Sequence, residues 1–356
     1  MSQSHLFEDI EKVWFLHIFR HRYLLARIVY QFRFLVCHGY SRPIVDLSYS
    51  PITPDGFFLA SASKDGKPML RNAETGDWIG TFDGHKGAVW AACLDTPTLR
   101  CATTSADLAR KRVWDALTED ELHSFEHKHV VRTCAFSEST THLLTGGAEK
   151  VLQIFDLFRP DAPPTLLESF PKTPIWVAVW NHTDQTILNS SDNVEGVRVW
   201  DVGTKFVVRT LETKSSCTSV EVSRDGRYIT TADGNTSYTM RRPVESASLF
   251  PAWSKFIVGG NDMWVRLFDF DTGDEIECNK GHHSLVHCVR FSPGSESCLW
   301  LRRWSIRILK IVNGNDEAKV GGYAEGAGAN QIKVRVVEVS RKVQGFHIAQ
   351  EDGAQV

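Results

Sequence analysis

"RVWDALTEDELHSF" (112–125) and "RVWDVGTKFVVRTL" (198–211) share an Arg-Val-Trp-Asp core followed by a polar turn and a second extended stretch. One such core is unremarkable, since an apolar residue, a Trp and an Asp end many half-buried strands. Recurrence is what carries information. Weaker copies end in Phe155-Asp156 and Phe268-Asp269, and two worn copies carry Leu70-Arg71 and Leu309-Lys310. With the aromatic position or its replacement as marker, successive gaps are 44, 41, 45, 68 and 41 residues.

Four of these gaps match the roughly 40–45 residues of a four-stranded propeller blade. The long gap is too long for one repeat and too short for two. It reads as two repeats with part of the first missing, because 216–237 supplies only two strands before "YTMRRPVESASLF" begins. The expectation is an all-β, seven-bladed propeller with a truncated fifth blade. Within each unit, "AVWAACL" (88–94), "VVRTCAFS" (130–137), "TSVEVS" (218–223) and "VHCVRFS" (286–292) are short, rich in β-branched residues and bounded by turn formers. "TPDG" (53–56), "SRDG" (223–226) and "SPGS" (292–295) supply the turn chemistry.

Composition narrows the function classes. Lys and Arg number 40 against 43 acidic residues, a net charge of −3, so the chain lacks the basic footprint of a general nucleic-acid binder. Eight cysteines include no CxxC pair and fall largely on apolar strand positions, the pattern of reduced structural thiols. The apolar stretch 13–36 is interrupted by Arg20, His21, Arg22, Arg27 and Arg33, which argues against a membrane span, and Glu8, Asp9 and Glu11 argue against a signal peptide. Residues 1–33 therefore read as an atypical extension and 34–312 as the propeller. Phe34 to Cys37 is expected as the outer strand that closes the ring. Residues 313–356 read as a flexible Gly- and Ala-rich tail in which 331–348 forms a short helix or strand.

"SASKDGKPMLRNAETGDWIGTFDGHKGAVW" (61–90), "FEHKHVVRTCAFS" (125–137), "LLTGGAEKVLQIFDLFRPDAP" (143–163) and "KGHHSLVHCVRFSPG" (280–294) resemble the serine-threonine kinase receptor-associated branch of the WD40-repeat family. That resemblance implies a non-catalytic adaptor of the survival-of-motor-neuron complex, which assembles spliceosomal small nuclear ribonucleoproteins. It further implies modulation of receptor serine/threonine kinase signalling, a cytoplasmic location with a nuclear pool, and a monomer held within a larger protein complex, with RNA reached only indirectly. The propeller subunit of eukaryotic translation initiation factor 3 is the alternative. The resemblance also implies a hydrogen-bonded cluster in each blade. Its candidates are Gly84-His85 and His282 for the Gly-His element, Asp65, Asp107, Glu149, Asp233 and Asp262 for the acidic turn, and Trp114-Asp115 and Trp200-Asp201 for the marker. The seventh blade departs from the family pattern: "SCLWLRRWSIRIL" (297–309) stands where small residues and an acidic turn belong, through a local frameshift or a divergent blade.

No phosphate loop, HExxH or nucleophile elbow occurs, so neither a catalytic set nor a cofactor is expected. His282, His283 and His287, with His127 and His129, come nearest to a metal cluster, but they fall at loop-to-strand junctions of different blades and read as structural or solvated. The functional surface is then expected on one rim, carried by Arg42, Lys64, Lys86, Lys128, His129 and His283, with Trp90 and Trp176 near the strand starts.

Overall fold

The short runs picked out above become strands in a computed structural model, described for residues 31–107, 110–168, 172–192, 196–213, 216–223, 228–232, 244–250, 254–279, 285–293, 297–302, 305–312 and 348–350. The strands are β1 (Gln31–Cys37), β2 (Ile44–Tyr49), β3 (Phe58–Ser63), β4 (Met69–Asn72), β5 (Trp78–Thr81), β6 (Val89–Leu94), β7 (Arg100–Ser105), β8 (Arg110–Asp115), β9 (Glu121–Glu126), β10 (Val131–Phe136), β11 (His142–Gly147), β12 (Leu152–Asp156), β13 (Thr165–Leu167), β14 (Ile175–Trp180), β15 (Thr186–Ser191), β16 (Val197–Asp201) and β17 (Val207–Leu211). After them come β18 (Ser219–Val222), β19 (Tyr228–Ala232), β20 (Val244–Phe250), β21 (Lys255–Gly260), β22 (Val265–Asp269), β23 (Glu275–Asn279), β24 (Val289–Phe291), β25 (Ser297–Arg302), β26 (Ser305–Val312) and β27 (Ile348–Gln350).

Five blades are meanders of four consecutive antiparallel strands: β2–β5, β6–β9, β10–β13, β14–β17 and β20–β23. Two further sheets are composite. One is ordered β1-β26-β25-β24, so the strand containing Phe34 to Cys37 forms its outer edge. The other is ordered β18-β19-β27 and takes its third strand from the far end of the sequence. The stretch 331–348 thus contributes its last residue to a strand, and 331–347 lies outside the described residues. In the irregular stretch, 297–302 and 305–309 are regular strand backbone, with Arg303 and Trp304 outside the described residues.

The chain divides into two units. Phe34–Leu309 with Val337–Val356 holds the propeller; of Met1–Arg33 with Lys310–Val336 only the ends of β1 and β26 are described. Among the described residues no helix is long and apolar enough to cross a membrane.

Sequence composition follows strand position. Second strands are covered on both faces by neighbouring blades, and β3, β7, β11 and β15 are buried over nearly their whole length. Their sequences taper to small residues, "FLASAS", "RCATTS", "HLLTGG" and "TILNSS", because the blades crowd together there. Gly147 shows the limit: a Cβ would collide with the Val130 carbonyl and Val131 Cα. Fourth strands face solvent, which leaves Trp78 of β5 58% and Val208 of β17 59% exposed. First strands line a shared central cavity of about 730 Å³, with walls drawn from β2, β6, β10, β14, β18, β20 and β24. Side chains on one first strand bond the backbone of the next, as when Ala178 N donates to Thr133 Oγ1 at 3.1 Å and Val289 N to Ser246 Oγ at 3.2 Å.

Pairing register corrects one sequence reading. The marker residue opens a bulge against the fourth strand at Trp114, Trp200 and Phe268, and in the first blade this bulge lies between Leu70 and Arg71. The worn marker is therefore Arg71-Asn72 and not Leu70-Arg71. Asn72 Oδ1 accepts from Glu74 N and Thr75 N just as Asp115 Oδ1 accepts from Leu117 N and Thr118 N. A search for apolar or aromatic residues selects Leu70 and passes over an arginine.

Candidate functional site

In the second blade the Gly-His, acidic-turn and Trp elements close into one chain of hydrogen bonds. Trp114 Nε1 donates to Thr103 Oγ1 at 2.7 Å; Thr103 Oγ1 lies 2.7 Å from His85 Nε2, and His85 Nδ1 lies 3.1 Å from Asp107. With the indole as fixed donor, the consistent assignment has the Thr103 hydroxyl donating to Nε2 and Nδ1–H donating to the carboxylate. Burial pushes the His85 imidazole below its ordinary value against the opposing pull of Asp107. Burial pushes Asp107 up, but bonds from Ser105, Lys86 N and His85 outweigh it and hold the carboxyl below its usual range. Gly84, at φ +153°, leaves room for the Arg112 guanidinium and the Trp114 ring to close over the loop.

Other blades keep these roles with different residues. In the third, His127 Nδ1 lies 3.2 Å from Glu149 and His127 Nε2 lies 3.3 Å from Thr145 Oγ1, but Phe155 has no N–H to give. The donor comes instead from Lys111 of β8, whose fully buried Nζ bonds Thr145 Oγ1 at 3.1 Å and sits 3.1 Å from the centre of the Phe155 ring. In the fourth blade Trp200 Nε1 donates to Asn189 Oδ1 at 2.7 Å. In the first blade Tyr40 takes the histidine place: its hydroxyl is 2.8 Å from Ser61 Oγ and accepts from Arg71 Nε at 3.2 Å.

The acidic turn residues grip the loops that lead into the first strands. Asp65 accepts from Ser41 N at 2.9 Å, Asp107 from Lys86 N at 2.7 Å, and Glu149 from Lys128 N and, at 3.2 Å, from His129 N. Arg42, Lys86, Lys128 and His129 are exposed on those anchored loops. Asp262 instead holds Arg266 Nη1 at 2.5 Å. Asp115 and Asp201 do not join the cluster, because they cap turns at the opposite end of the blade, where Leu117 N and Thr118 N, or Thr204 N, donate to them. Asp233, His282 and His283 lie outside the described residues.

A second recurring bulge shapes the mouth of the central cavity. It falls one residue into the first strand of each complete blade, between Ile44 and Asp46, Val89 and Ala91, Val131 and Thr133, Ile175 and Val177, and Val244 and Ser246. The bulged residues are Val45, Trp90, Arg132, Trp176 and Glu245. Bulges re-aim side chains, and here they collect two cation–aromatic pairs. Lys64 Nζ lies 4.9 Å from the centre of the Trp90 ring, and the Arg132 guanidinium lies 4.1 Å from that of Trp176. Lys64, Trp90 and Trp176 were expected on this rim; Arg132 was not. Its sequence signal is positional: Val131-Arg132 matches Val89-Trp90 and Ile175-Trp176 once strand starts are superposed.

Comparison with known proteins gives this architecture its relatives. The family model described as WD domain, G-beta repeat matches residues 119–156. The serine-threonine kinase receptor-associated protein of Dictyostelium discoideum is 45% identical over 276 residues, spanning 74% of this chain and 93% of the relative. The Homo sapiens protein of the same name is 42% identical over 275 residues, spanning 74% and 77%. Eukaryotic translation initiation factor 3 subunit I of Drosophila mojavensis is more distant, at 28% over 299 residues. Identity of this level across most of both chains, on a propeller whose second blade carries the complete Trp114 cluster, places the chain in the serine-threonine kinase receptor-associated protein family, a branch of the WD40-repeat propellers.

Proposed function

We propose that this chain is a non-catalytic scaffold of a small-nuclear-ribonucleoprotein assembly complex, a seven-bladed ring in which the two composite sheets complete the five meanders. Family membership carries this reading: 45% identity over 93% of a relative whose name denotes association with a receptor, not turnover of a substrate. The site supports it, because the cations of the rim sit on loops anchored by Asp65, Asp107 and Glu149 and are held in place to meet an acidic partner. In this reading the partners are proteins of the complex, RNA is reached through them, and the chain works as a monomer within the assembly, in the cytoplasm with a nuclear pool. Modulation of receptor serine/threonine kinases is a second use of the same surface.

Affinity purification of the tagged chain from its own cells, beside a Lys86→Glu, Lys128→Glu variant, tests the reading. Sm-assembly proteins are expected with the parent chain and lost from the variant. Recovery of initiation-factor subunits in their place would move the function to translation, where the 28%-identical relatives belong.

A further inference from the structure

Trp90 and Arg132 occupy equivalent bulges of adjacent blades at the mouth of the central cavity. Both hold buried N–H groups that meet no acceptor among the described residues: Nε1 of Trp90, and Nε and Nη1 of Arg132. Buried donors in folded proteins are nearly always matched, and the unmatched atoms of these two side chains are all donors. The missing partner is therefore an acceptor, and the Arg132 charge makes an anion the best one. Trp176 fixes the guanidinium from one face at 4.1 Å, and Lys64 adds a second cation over Trp90. In the order of first strands Glu245 stands on β20, beyond β14 and β18, so the acidic side of the mouth lies away from the arc from Lys64 to Trp176, while His287 lies close to Lys64.

We infer that this arc is a binding site for a carboxylate side chain of an acidic peptide segment, seated on Arg132 between the Trp90 and Trp176 rings. The inference deepens the scaffold reading and rests on it. A peptide is favoured over a nucleic acid on two observations. The chain carries a net charge of −3, and the rim cations stand beside Asp65, Asp107 and Glu149, so no continuous basic stripe tracks a phosphate backbone. The indole faces, moreover, suit the methylene stem of a glutamate and apolar residues beside it.

The test is fluorescence anisotropy with a labelled, capped hexaglutamate peptide, with hexaglutamine and hexalysine as controls and a uridine oligonucleotide as competitor. Salt-sensitive binding of hexaglutamate alone is expected, weakened by roughly tenfold or more in Arg132→Gln, the scale of one or two lost charge-assisted bonds. Arg132→Lys keeps the charge without the planar stack, so intermediate affinity is expected. Thermal unfolding of each variant checks that the fold is retained. Absence of hexaglutamate binding, equal binding by folded Arg132→Gln, or displacement by the oligonucleotide at far lower concentration than by free hexaglutamate overturns the inference. The two readings fail separately. If Arg132→Gln captures assembly proteins as well as the parent chain does, the peptide site is wrong and the scaffold stands; if the parent captures none while hexaglutamate binding still depends on Arg132, the reverse holds.

Discussion

Replacing Trp114 with alanine is expected to lower the unfolding free energy by about 3–5 kcal/mol, the range for removing a large buried aromatic. The side chain is 2% exposed and packs against Phe82 and His85, with ring centres 5.7 and 5.9 Å away. Its loss also removes the donor that begins the chain through Thr103 and His85 to Asp107, so the loop carrying Lys86 loses its anchor. Trp114→Phe separates packing from hydrogen bonding. It keeps most of the apolar bulk but takes away the N–H, and should cost about 1–3 kcal/mol. Urea unfolding of the three proteins reads both differences. Equal losses in the two variants would mean that the hydrogen bond, not the packing, dominates at this position. A loss near zero for Trp114→Phe would mean that water replaces the indole donor and the chain of bonds adds nothing.

The architecture was legible because the repeat ties residue type to place. Trp114, Trp200, Phe155 and Phe268 each precede an aspartate that caps a turn, and that spacing survives in the bare sequence. Legibility failed where a role is filled by an unrelated side chain. Arg71 stands in the place of a tryptophan, Tyr40 in that of a histidine, and together with Ser61 they rebuild a polar cluster that no search for Trp-Asp finds. Lys111 was hidden for another reason. In "RKRVWD" it reads as a solvated strand charge, and only the neighbouring blade, which brings Thr145 and Phe155 over it, makes it a buried donor. Arg132 needed the bulge, since a strand of perfect alternation gives no reason to single out its second residue. The pairing of β27 with β19 joins segments more than a hundred residues apart, and no local pattern in either one announces the other.

The Lys111 substitution has a consequence at acid pH. His127 is 2% exposed at its side chain and is packed among Glu149, Lys111, Thr145 and Phe155. Burial, then repulsion from Lys111, drives its pKa from the ordinary 6.5 down to about 4, against the pull of Glu149. The folded protein thus keeps this ring neutral where the unfolded chain protonates it. Between pH 6.5 and about 4 the unfolded state binds more protons, so stability falls as the pH falls, by about 3 kcal/mol from this residue. Burial likewise lowers His85 and adds to the slope with the same sign. Burial pushes Glu149 up, but bonds from Lys128 N and the neighbouring His127 outweigh it and hold the carboxyl below its usual range, so its contribution is lost as the pH falls from the ordinary 4.5 downward. Unfolding free energies measured from pH 7 to 4 should therefore decline steeply in the parent chain and less so in His127→Gln. Lys111→Met removes the repulsion and returns His127 toward its ordinary value, which also flattens the decline. Parallel curves for the parent and His127→Gln would show that the folded state already carries the proton; a decline that Lys111→Met leaves untouched would show that burial alone keeps the ring neutral.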